Sequence, residues 1–276
     1  MMSATQKRVM FLTGCASGIG RHLSKILLDQ GHRLYCTDIE IEAVNQWVEE
    51  GDYTSAQVAT RKLDVRQPLE WKKAIDDAVK TFGDLDVVMN IAGYLRPGYI
   101  DKVVPADVDM HIDVNVKGVI FGTRAASVRM IEQGYGHIVN VGSLASLSCV
   151  PGMSLYCASK FAVRGFTLSV AEELRKHHVD TTVVLLDAVK TPMLDLQADY
   201  EEAALTFSGD RPLTLKDVEE VFVNDVLRKR RLEVVLPRGR GMMARFAGMA
   251  PEITRFLAPT LMRRGREAQE DYEPEQ

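Results

Sequence analysis

The sequence predicts a doubly wound α/β fold, in which helices cover both faces of a parallel sheet. Apolar strand-like runs alternate with segments of helical period from the N-terminus to about residue 236, which is the order that helical crossovers between parallel strands produce. The strand-like runs are apolar throughout, as strands buried on both faces are. Neither an internal repeat nor a low-complexity linker interrupts this order, so we expect one domain.

Each element is placed by its hydrophobic period and by the residues at its ends. Gly31 ends the first helix, and Pro68 lies in the first turn of the third, as helix termini commonly require. The predicted strands are 8–13, 32–37, 56–63, 86–90, 137–141, 181–186 and 232–236. The predicted helices are 19–30, 40–50, 68–82, 105–133, 153–177 and 213–230.

Two segments lie outside this alternation. Residues 188–211 separate the sixth strand from the next helix, which is long for a connection in a compact domain. Residues 240–266 follow the last strand, and both segments are placed where a substrate lid would be. We therefore expect a catalytic domain over residues 1–236, with a lid at about 188–212, and a C-terminal helical extension over 237–276 that is not an independent domain.

The composition excludes several classes of protein. Of the 276 residues, 46% are hydrophobic and 26% are charged, which excludes wholesale disorder. The net charge of −4 gives the molecule as a whole no bulk attraction for nucleic acid or anionic lipid. No run reaches the roughly 18 apolar residues of a membrane-spanning helix. The N-terminus lacks the long apolar region of a secretory signal, so we expect a cytoplasmic protein.

The four cysteines are widely separated along the chain, at Cys15, Cys36, Cys149 and Cys157. They form neither a CxxC pair nor a cluster with histidine. This spacing argues against both a zinc site and a disulfide framework. We therefore expect buried free thiols and no bound metal.

A glycine-rich loop joins the first strand to the first helix. Glycines stand at positions 14, 18 and 20 in the segment Thr13–Gly20, where they let the backbone turn tightly and approach a pyrophosphate. The free N–H groups and the positive dipole end of the following helix favour the same anion. The loop therefore predicts a Rossmann-type dinucleotide site, although its GxxxGxG spacing differs from the usual GxGxxG.

Asp38 ends the second predicted strand, where a carboxylate can accept hydrogen bonds from the adenosine ribose. The same carboxylate would repel a 2′-phosphate, and the next residues, Ile39, Glu40 and Ile41, include no arginine. Asp38 therefore favours NAD over NADP as the cofactor. An alternative is that it caps the helix beginning near residue 40, and the two interpretations are compatible.

Tyr156 and Lys160 are four residues apart in a predicted helix and so share one face. A lysine ammonium close to a phenol is expected to lower its pKa, which makes the tyrosine a plausible acid/base near neutral pH. Ser143 follows the fifth strand, at the sheet edge where doubly wound proteins bind ligands. Taken singly, each is also compatible with an ordinary helix surface or loop position.

Taken together, these motifs resemble those of the short-chain dehydrogenase/reductase family over about residues 8–236. The shared features are TGxxxGIG at 13–20, Asp64-Val65, Asn90-Ile91-Ala92-Gly93, Asn115, Ser143 and Tyr156-Cys157-Ala158-Ser159-Lys160. Two positions depart from the family pattern. Asp187-Ala188 stands where the family usually has Pro-Gly, and Ile91 replaces a common asparagine.

The resemblance implies a role for each position. Tyr156 would be the acid/base, Lys160 would lower its pKa and hold the nicotinamide ribose, and Ser143 would orient the substrate oxygen. Asn115 would anchor a water in a proton relay through Lys160. The remaining positions would bind the cofactor: Gly14, Ser17, Gly18, Ile19 and Gly20 at the pyrophosphate, Asp64 and Val65 at the adenine, Asn90, Ala92 and Gly93 on the adenosine side, where they would also brace the sheet, and Val189 and Thr191 at the carboxamide.

Apolar residues around Ser143 and in the predicted lid indicate the substrate. They are Leu144, Val150, Met153, Met193 and Leu194. Such a lining suits a lipophilic alcohol or ketone, such as a steroid or retinoid, better than a sugar. The alternative is a lid that closes over its own core.

The C-terminal extension combines basic charge with a helical apolar period. Residues 228–266 contain eleven Lys or Arg against Glu233 and Glu252, whereas the last ten residues contain five acids. Met242, Phe246 and Met249 recur at helical spacing, as do Ile253, Phe256 and Leu257. Such a segment can lie on a membrane surface or dock an acidic partner. The alternative that we favour is packing on the domain or on a second subunit.

These observations favour an NAD-dependent oxidoreductase that interconverts a secondary alcohol and its ketone. One alternative is a 3-oxoacyl thioester reductase, which Asp38 disfavours because that chemistry typically uses NADPH. Another is a catalytically silent NAD-sensing or scaffold protein, which the complete set of predicted catalytic residues disfavours. By resemblance, we also expect a homodimer or homotetramer formed through the helices 105–133 and 153–177. Nucleic-acid binding is not expected, since aromatic residues do not interleave the basic segment.

Overall fold

Seven parallel strands form one sheet in the computed structural model of the chain, which describes residues 7–274 apart from the side chains at positions 253, 254 and 257. The strands are β1 (Val9–Thr13), β2 (Arg33–Asp38), β3 (Val58–Lys62), β4 (Val87–Asn90), β5 (Gly136–Val141), β6 (Val179–Leu186) and β7 (Glu233–Leu236). Their order across the sheet is β3-β2-β1-β4-β5-β6-β7. The winding direction reverses between β1 and β4, which opens a crevice at their carboxyl ends.

Helices alternate with the strands, which confirms the predicted doubly wound fold. They are α1 (Gly18–Asp29), α2 (Ile41–Glu50), α3 (Pro68–Phe82), α4 (Pro105–Met110), α5 (Gly118–Gln133), α6 (Ser154–Arg175), α7 (Pro192–Ala198), α8 (Leu215–Val221), α9 (Arg238–Met249) and α10 (Pro251–Glu270). The predicted helix 105–133 contains a π-helical stretch, His111–Lys117, between α4 and α5. A second π-helical stretch, Phe222–Leu227, continues α8.

The two faces of the sheet pack against different helices. Met10 and Leu12 of β1 face a core shared with α1, α2 and α8. Val9 and Phe11 alternate to the other face and pack against α3, α5 and α6, because successive side chains of a strand point to opposite faces. The sheet is therefore buried on both sides, and its carboxyl edge remains as the place where ligands can reach it.

The two segments outside the alternation fold together. Residues 188–211 contain α7 and a 3₁₀ stretch, Glu201–Ser208, on which α10 packs. The backbones approach closely, since a Cβ on Gly265 of α10 would lie 2.0 Å from the Ala204 carbonyl oxygen. Gln269 donates hydrogen bonds to three carbonyl oxygens around the end of α7. The C-terminal extension is thereby tied to the predicted lid.

The cysteines differ in one respect from the expectation of buried free thiols. Cys15, Cys36 and Cys157 are free and buried, whereas Cys149 is exposed, because it lies in the loop between β5 and α6. Among the described residues, no helix combines the length and apolar character that crossing a bilayer demands.

Candidate active site

The glycine loop brings the N-terminus of α1 close to the end of β4. Gly14 has a φ of +73°, and a Cβ there would lie 2.9 Å from the Ala92 nitrogen. A Cβ on Gly20 would lie 2.0 Å from the Gly14 carbonyl oxygen. Both positions therefore require glycine. Ser17 precedes α1, and its side chain makes no capping hydrogen bond with the described residues, which leaves the first N–H groups of the helix for an anion.

Asp38 connects this loop to the start of α2. Its carboxylate accepts hydrogen bonds from the Ala16 nitrogen at 2.9 Å and from the Glu40 nitrogen at 3.0 Å. The contact with Glu40 lies in the turn before α2, of which Glu40 is the N-cap residue, and no side-chain cap to α2 is present among the described residues. The carboxylate also lines the cavity beside the glycine loop. A ribose hydroxyl can therefore reach an oxygen that is already held in place.

An arginine that the sequence reasoning did not single out lies beside the predicted adenine site. Arg66 binds Asp64 through two guanidinium nitrogens, the shorter contact being 2.7 Å. This pairing holds the pKa of Asp64 below its usual range. The guanidinium of Arg66 is thus engaged by the Asp64 carboxylate, with which a 2′-phosphate would have to compete.

Ser143, Tyr156 and Lys160 meet at the carboxyl end of β5. Lys160 follows Tyr156 by one turn of α6, and its Nζ lies 5.5 Å from the centroid of the Tyr156 ring. The ammonium is buried and donates a 3.0 Å hydrogen bond to the Val141 carbonyl oxygen. Ser143 precedes a 3₁₀ turn, where its hydroxyl oxygen accepts from the Ala145 nitrogen, and it is also hydrogen-bonded to Tyr156.

The pKa of Tyr156 is shifted in the direction opposite to the one expected from a neighbouring lysine. Burial raises it to about 12, although the hydrogen bond with Ser143 acts to lower it. Burial also lowers the pKa of Lys160 to about 8. Both groups lose hydration, which disfavours the charged form of each. The Lys160 ammonium does not offset this at Tyr156, because it is directed to the Val141 carbonyl oxygen.

Asn115 lies behind these residues in the π-helical stretch His111–Lys117. It is buried and does not line the cavity. Its side chain exchanges two hydrogen bonds with the Tyr94 backbone and donates a third to the Ser159 hydroxyl. Gly93 separates it from Lys160, since a Cβ there would lie 3.5 Å from Asn115 Oδ1 and 3.9 Å from Lys160 Nζ. Both N–H donors of the asparagine are thus used within the protein, whereas its oxygen accepts one hydrogen bond and has the capacity for a second, so its role in a proton relay stays a prediction.

Asn90 differs from its expected place among the cofactor-binding residues. It lies within β4, is buried and does not line the cavity. Its side-chain nitrogen donates to Asn140 Oδ1 at 2.7 Å and to Thr123 Oγ1 at 3.4 Å. Because alternate strand residues face opposite sides, this side chain points to α5 and braces β4 against β5.

One cavity of about 1400 Å³ collects the other predicted residues. This exceeds the roughly 300–1,000 Å³ of an ordinary small-molecule pocket, so it has room for a dinucleotide and a second molecule. The predicted cofactor and acid/base residues that line it are Gly14, Ser17, Gly18, Ile19, Gly20, Asp38, Asp64, Val65, Ala92, Gly93, Ser143, Tyr156, Lys160, Val189 and Thr191. The predicted pocket residues that line it are Leu144, Val150, Met153, Met193 and Leu194.

The two predicted pocket residues of the lid differ in their surroundings. One packs inside the lid, and the other lines the cavity. Leu194 is buried in a small cluster with Ala203 and Phe207 of the lid itself, as expected for a lid with its own core. Met193 is 37% exposed and borders the cavity. The lid therefore has a small core of its own and still contributes an apolar wall.

Asp187, which replaces the family's usual proline, forms an ion pair with the C-terminal extension. Its carboxylate lies 2.8 Å from the guanidinium of Arg240 in α9. Burial raises the pKa of Asp187, and the arginine opposes that shift. Arg240 also donates to the Ser208 hydroxyl in the lid. The pair joins the end of β6, the lid and the extension, and no local spacing in the sequence signals it.

Comparisons with known proteins agree with this geometry. A family model described as short chain dehydrogenase matches residues 8–202. SadH of Mycobacterium tuberculosis is 38% identical over 243 residues, which cover 85% of this chain and 88% of SadH. A 3-alpha-(or 20-beta)-hydroxysteroid dehydrogenase of Mycobacterium bovis is 35% identical over 192 residues, covering 68% of this chain and 71% of the relative.

The fold also matches a solved structure. A short chain dehydrogenase/reductase from Burkholderia phymatum, crystallised with NAD, superposes with a TM-score of 0.80. The match covers 92% of this chain and 97% of that one, at 24% sequence identity.

Proposed function

This chain belongs to the short-chain dehydrogenase/reductase family of oxidoreductases, and we propose that it transfers a hydride between NAD(H) and a lipophilic secondary alcohol or the corresponding ketone. The observation that carries this proposal is the grouping of Ser143, Tyr156 and Lys160 in one cavity with the glycine loop. A proton-transfer group and a dinucleotide cradle are the two parts that such a reaction needs.

The cradle at the carboxyl ends of β1 and β4 fits a dinucleotide. The backbone contacts of Gly14 and Gly20 leave no room for side chains, and the N-terminus of α1 faces the same cavity. Asp38 would bind the ribose, and Val189 and Thr191 would hold the nicotinamide carboxamide. When bound, the nicotinamide accepts or donates the hydride. Two features support NAD over NADP. The carboxylate of Asp38 would repel a 2′-phosphate, and the guanidinium of Arg66 is already paired with Asp64.

Tyr156 would move the substrate proton. With a pKa of about 12, its phenol is protonated at neutral pH, so it is ready to protonate the oxygen of a ketone as the ketone is reduced. Ser143 would orient that oxygen through its hydroxyl. Lys160 would bind the nicotinamide ribose with the N–H groups that it does not use on Val141. Asn115 would act as a positioning residue, because its hydrogen bonds hold Tyr94 and Ser159 beside these groups.

The walls of the cavity support a lipophilic substrate. Leu144, Val150 and Met153 line the cavity near Ser143, and Met243 and Phe246 of α9 also contribute to its lining. A lining of this kind recognises a substrate mainly by apolar contact. The hydroxysteroid dehydrogenase relative acts on substrates of this class, as its name states.

We also propose a homodimer or homotetramer, since members of this family are commonly oligomeric. The predicted interface helices carry exposed apolar side chains, namely Val128 and Ile131 on α5 and Phe161 on α6. Their burial between two copies would remove this apolar surface from water.

The test is an initial-rate assay of the purified full-length chain with NAD(H) and with NADP(H). The panel contains steroid alcohols and ketones, a retinoid, short secondary alcohols and a 3-oxoacyl thioester. We expect turnover of a steroid or retinoid with NAD(H) at a kcat/KM at least tenfold above that with NADP(H). Preference for the thioester with NADPH would replace the proposal with the thioester reductase. Tight NAD binding without turnover of any compound would favour the sensing role.

A further inference from the structure

Helix α9 packs on the domain through its small residues instead of its large ones. A Cβ on Gly241 would lie 2.1 Å from Val235 Cγ1, and a Cβ on Gly248 would lie 2.0 Å from the Leu147 carbonyl oxygen. Ala244 shares this face and packs against the cluster around Leu147. The small residues let the helix lie close to the sheet, so that its large apolar residues face outward.

The large apolar residues of α9 are exposed, so this stripe does not pack on its own domain, and the second part of the expectation, packing on another subunit, stays a prediction. Met242, Phe246 and Met249 are 60%, 64% and 71% exposed, and their i, i+4, i+7 spacing places them on one face. Phe256 of α10 is 83% exposed. Ile253 and Leu257, predicted in the same stripe, lie outside the side chains that the structure describes. We call Met242, Phe246 and Met249 the outer apolar face.

Arginines surround the outer apolar face. Residues 228–266 carry a net charge of +9, although the whole chain carries −4. Arg238 and Arg245 precede Met242 and Met249 by four residues and so share their face of α9, where Arg238 pairs with Asp225 and Arg245 with Glu233. On α10, the side chains of Arg255, Arg263 and Arg266 are exposed and form no ion pair with the described residues. Glu252 is the acidic residue nearest to Phe256 in the sequence.

The same helix borders the opening of the cavity. Phe246 belongs to the outer apolar face and also lines the cavity, together with Met243 and Ala247. A surface that covered this face would therefore lie directly against the opening through which a lipophilic molecule enters.

We propose that the outer apolar face docks on an anionic lipid bilayer. The methionines and the phenylalanine insert at the boundary between headgroups and acyl chains, and the arginines contact lipid phosphates, as basic amphipathic helices do. A second copy bound symmetrically through this face would bring two strongly basic segments together and is disfavoured by repulsion. An anionic bilayer offers phosphates to the arginines and an apolar interior to the methionines and phenylalanine.

The test measures flotation of the full-length protein with vesicles and does not depend on enzyme activity. The vesicles contain phosphatidylcholine alone or phosphatidylcholine with 30 mol% phosphatidylglycerol. We expect binding to the anionic vesicles at least tenfold tighter than to the neutral ones, and weaker binding at high salt. The substitutions R255Q, R263Q and R266Q, made together, should weaken binding to the anionic vesicles. The expected loss is on the order of fivefold for each of these arginines that lies at the membrane surface.

Apolar insertion is tested by Met242→Ser, Phe246→Ser and Met249→Ser in one variant. We expect at least a tenfold loss of binding to anionic vesicles, with the thermal unfolding temperature within a few degrees of the wild type because these side chains are already exposed. The control variant is Leu69→Ser with Ile100→Ser, two residues that are 76% and 73% exposed outside the extension. It should bind as the wild type does.

Three results would overturn the proposal. The first is absence of wild-type binding to both kinds of vesicle. The second is equal binding by the triple serine variant and the wild type. The third is a molar mass of the triple serine variant, measured by light scattering, that is lower than that of the wild type while vesicle binding is unchanged. This result would assign the face to contact with a second copy of the chain.

Discussion

The pKa values of two titratable side chains in the cavity are both shifted in the direction that favours the neutral form. Burial raises the pKa of Tyr156 to about 12 and lowers that of Lys160 to about 8. The protein alone therefore presents a protonated phenol beside a lysine that loses its charge at moderately alkaline pH. Ketone reduction needs the phenol and alcohol oxidation needs the phenolate, so the two directions should respond differently to pH.

The rate of alcohol oxidation should rise with pH, because a group with a pKa near 12 gains about tenfold in its deprotonated fraction for each pH unit below that value. We expect kcat for oxidation to increase by about one log unit per pH unit from pH 7 to 9, with ketone reduction nearly constant. Initial rates at saturating substrate measure both. A plateau in oxidation below pH 8 would show that the phenol titrates well below 12 in the working complex.

Tyr156→Phe isolates the proton-transfer role, since it removes only the hydroxyl. We expect kcat to fall by about 10²–10⁴, the usual contribution of a positioned acid/base, with NAD affinity unchanged in a calorimetric titration. Tyr94→Phe is the matched control, because Tyr94 also lines the cavity but donates its hydroxyl to Asp107. It should keep at least a tenth of the activity. A Tyr156→Phe enzyme with comparable activity would refute the assignment.

At the scale of elements, the ion pair between Asp187 and Arg240 joins the end of β6 to α9. Arg240→Met removes the cation and its hydrogen bond to Ser208, and leaves a largely buried carboxylate without its partner. We expect a loss of about 1–3 kcal/mol in the free energy of unfolding and a higher KM for a bulky substrate, because α9 forms part of the cavity wall. Urea unfolding and steady-state kinetics measure the two effects.

A double-mutant cycle with Asp187→Asn separates this pair from the other contacts of Arg240. The coupling energy should be at least about 0.5–1 kcal/mol, as for contacting residues. Arg264→Met is the control, because its partner Asp210 is 97% exposed and exposed pairs contribute about 0–1 kcal/mol. Additive effects at 187 and 240 would mean that the two side chains act independently.

Local sequence pattern was sufficient to predict the strands and main helices of this chain. The strands β1 to β7 and the helix α3 fall within two residues of their predicted bounds, because apolar runs and helix-terminal residues such as Pro68 act over a few positions. Asp38 and the glycine loop were predicted for the same reason, since their chemistry depends on one strand–turn–helix unit.

Features that depend on distant residues could not be predicted in this way. Nothing near Asp187 indicates that it pairs with Arg240, 53 positions later, and Arg66 binds Asp64 in a turn whose geometry the pattern does not encode. For Asn90 the family resemblance implied both a brace in the sheet and a cofactor contact, and the strand alternation directs its side chain to Asn140, so only the bracing is present. The direction of the Tyr156 pKa shift depends on burial, which only the packed structure defines.

At the scale of the whole molecule, charge and apolar surface are distributed unevenly. The basic extension packs on the lid and lines the cavity, whereas residues 1–227 carry a net charge of −8. The wall of the cavity that α9 contributes is therefore also the most basic part of the chain. Under the proposals above, substrate binding and membrane docking would involve the same helix.

The stability of the whole chain should fall when the solution becomes mildly acidic, because several histidines are buried in their neutral form. Burial lowers the pKa of His137 to about 3 and also lowers those of His32 and His111. In the unfolded chain a histidine has a pKa near 6.5. Below pH 6.5 the unfolded state therefore binds more protons than the folded state at these sites, so stability falls with decreasing pH, and for His137 this loss continues towards pH 3.

His137→Gln tests this for one site, since glutamine can keep a hydrogen bond to the Thr182 hydroxyl, which lies 2.8 Å from the imidazole. Between pH 7.5 and pH 5 the wild type should lose about 2 kcal/mol more unfolding free energy than the variant, at about 1.4 kcal/mol per pH unit for one proton. Urea unfolding at the two pH values measures the difference. The exposed His178→Asn is the control and should lose as much stability as the wild type. Equal losses of unfolding free energy in the wild type and both variants would show that His137 does not cause the acid sensitivity, which would then depend on other groups.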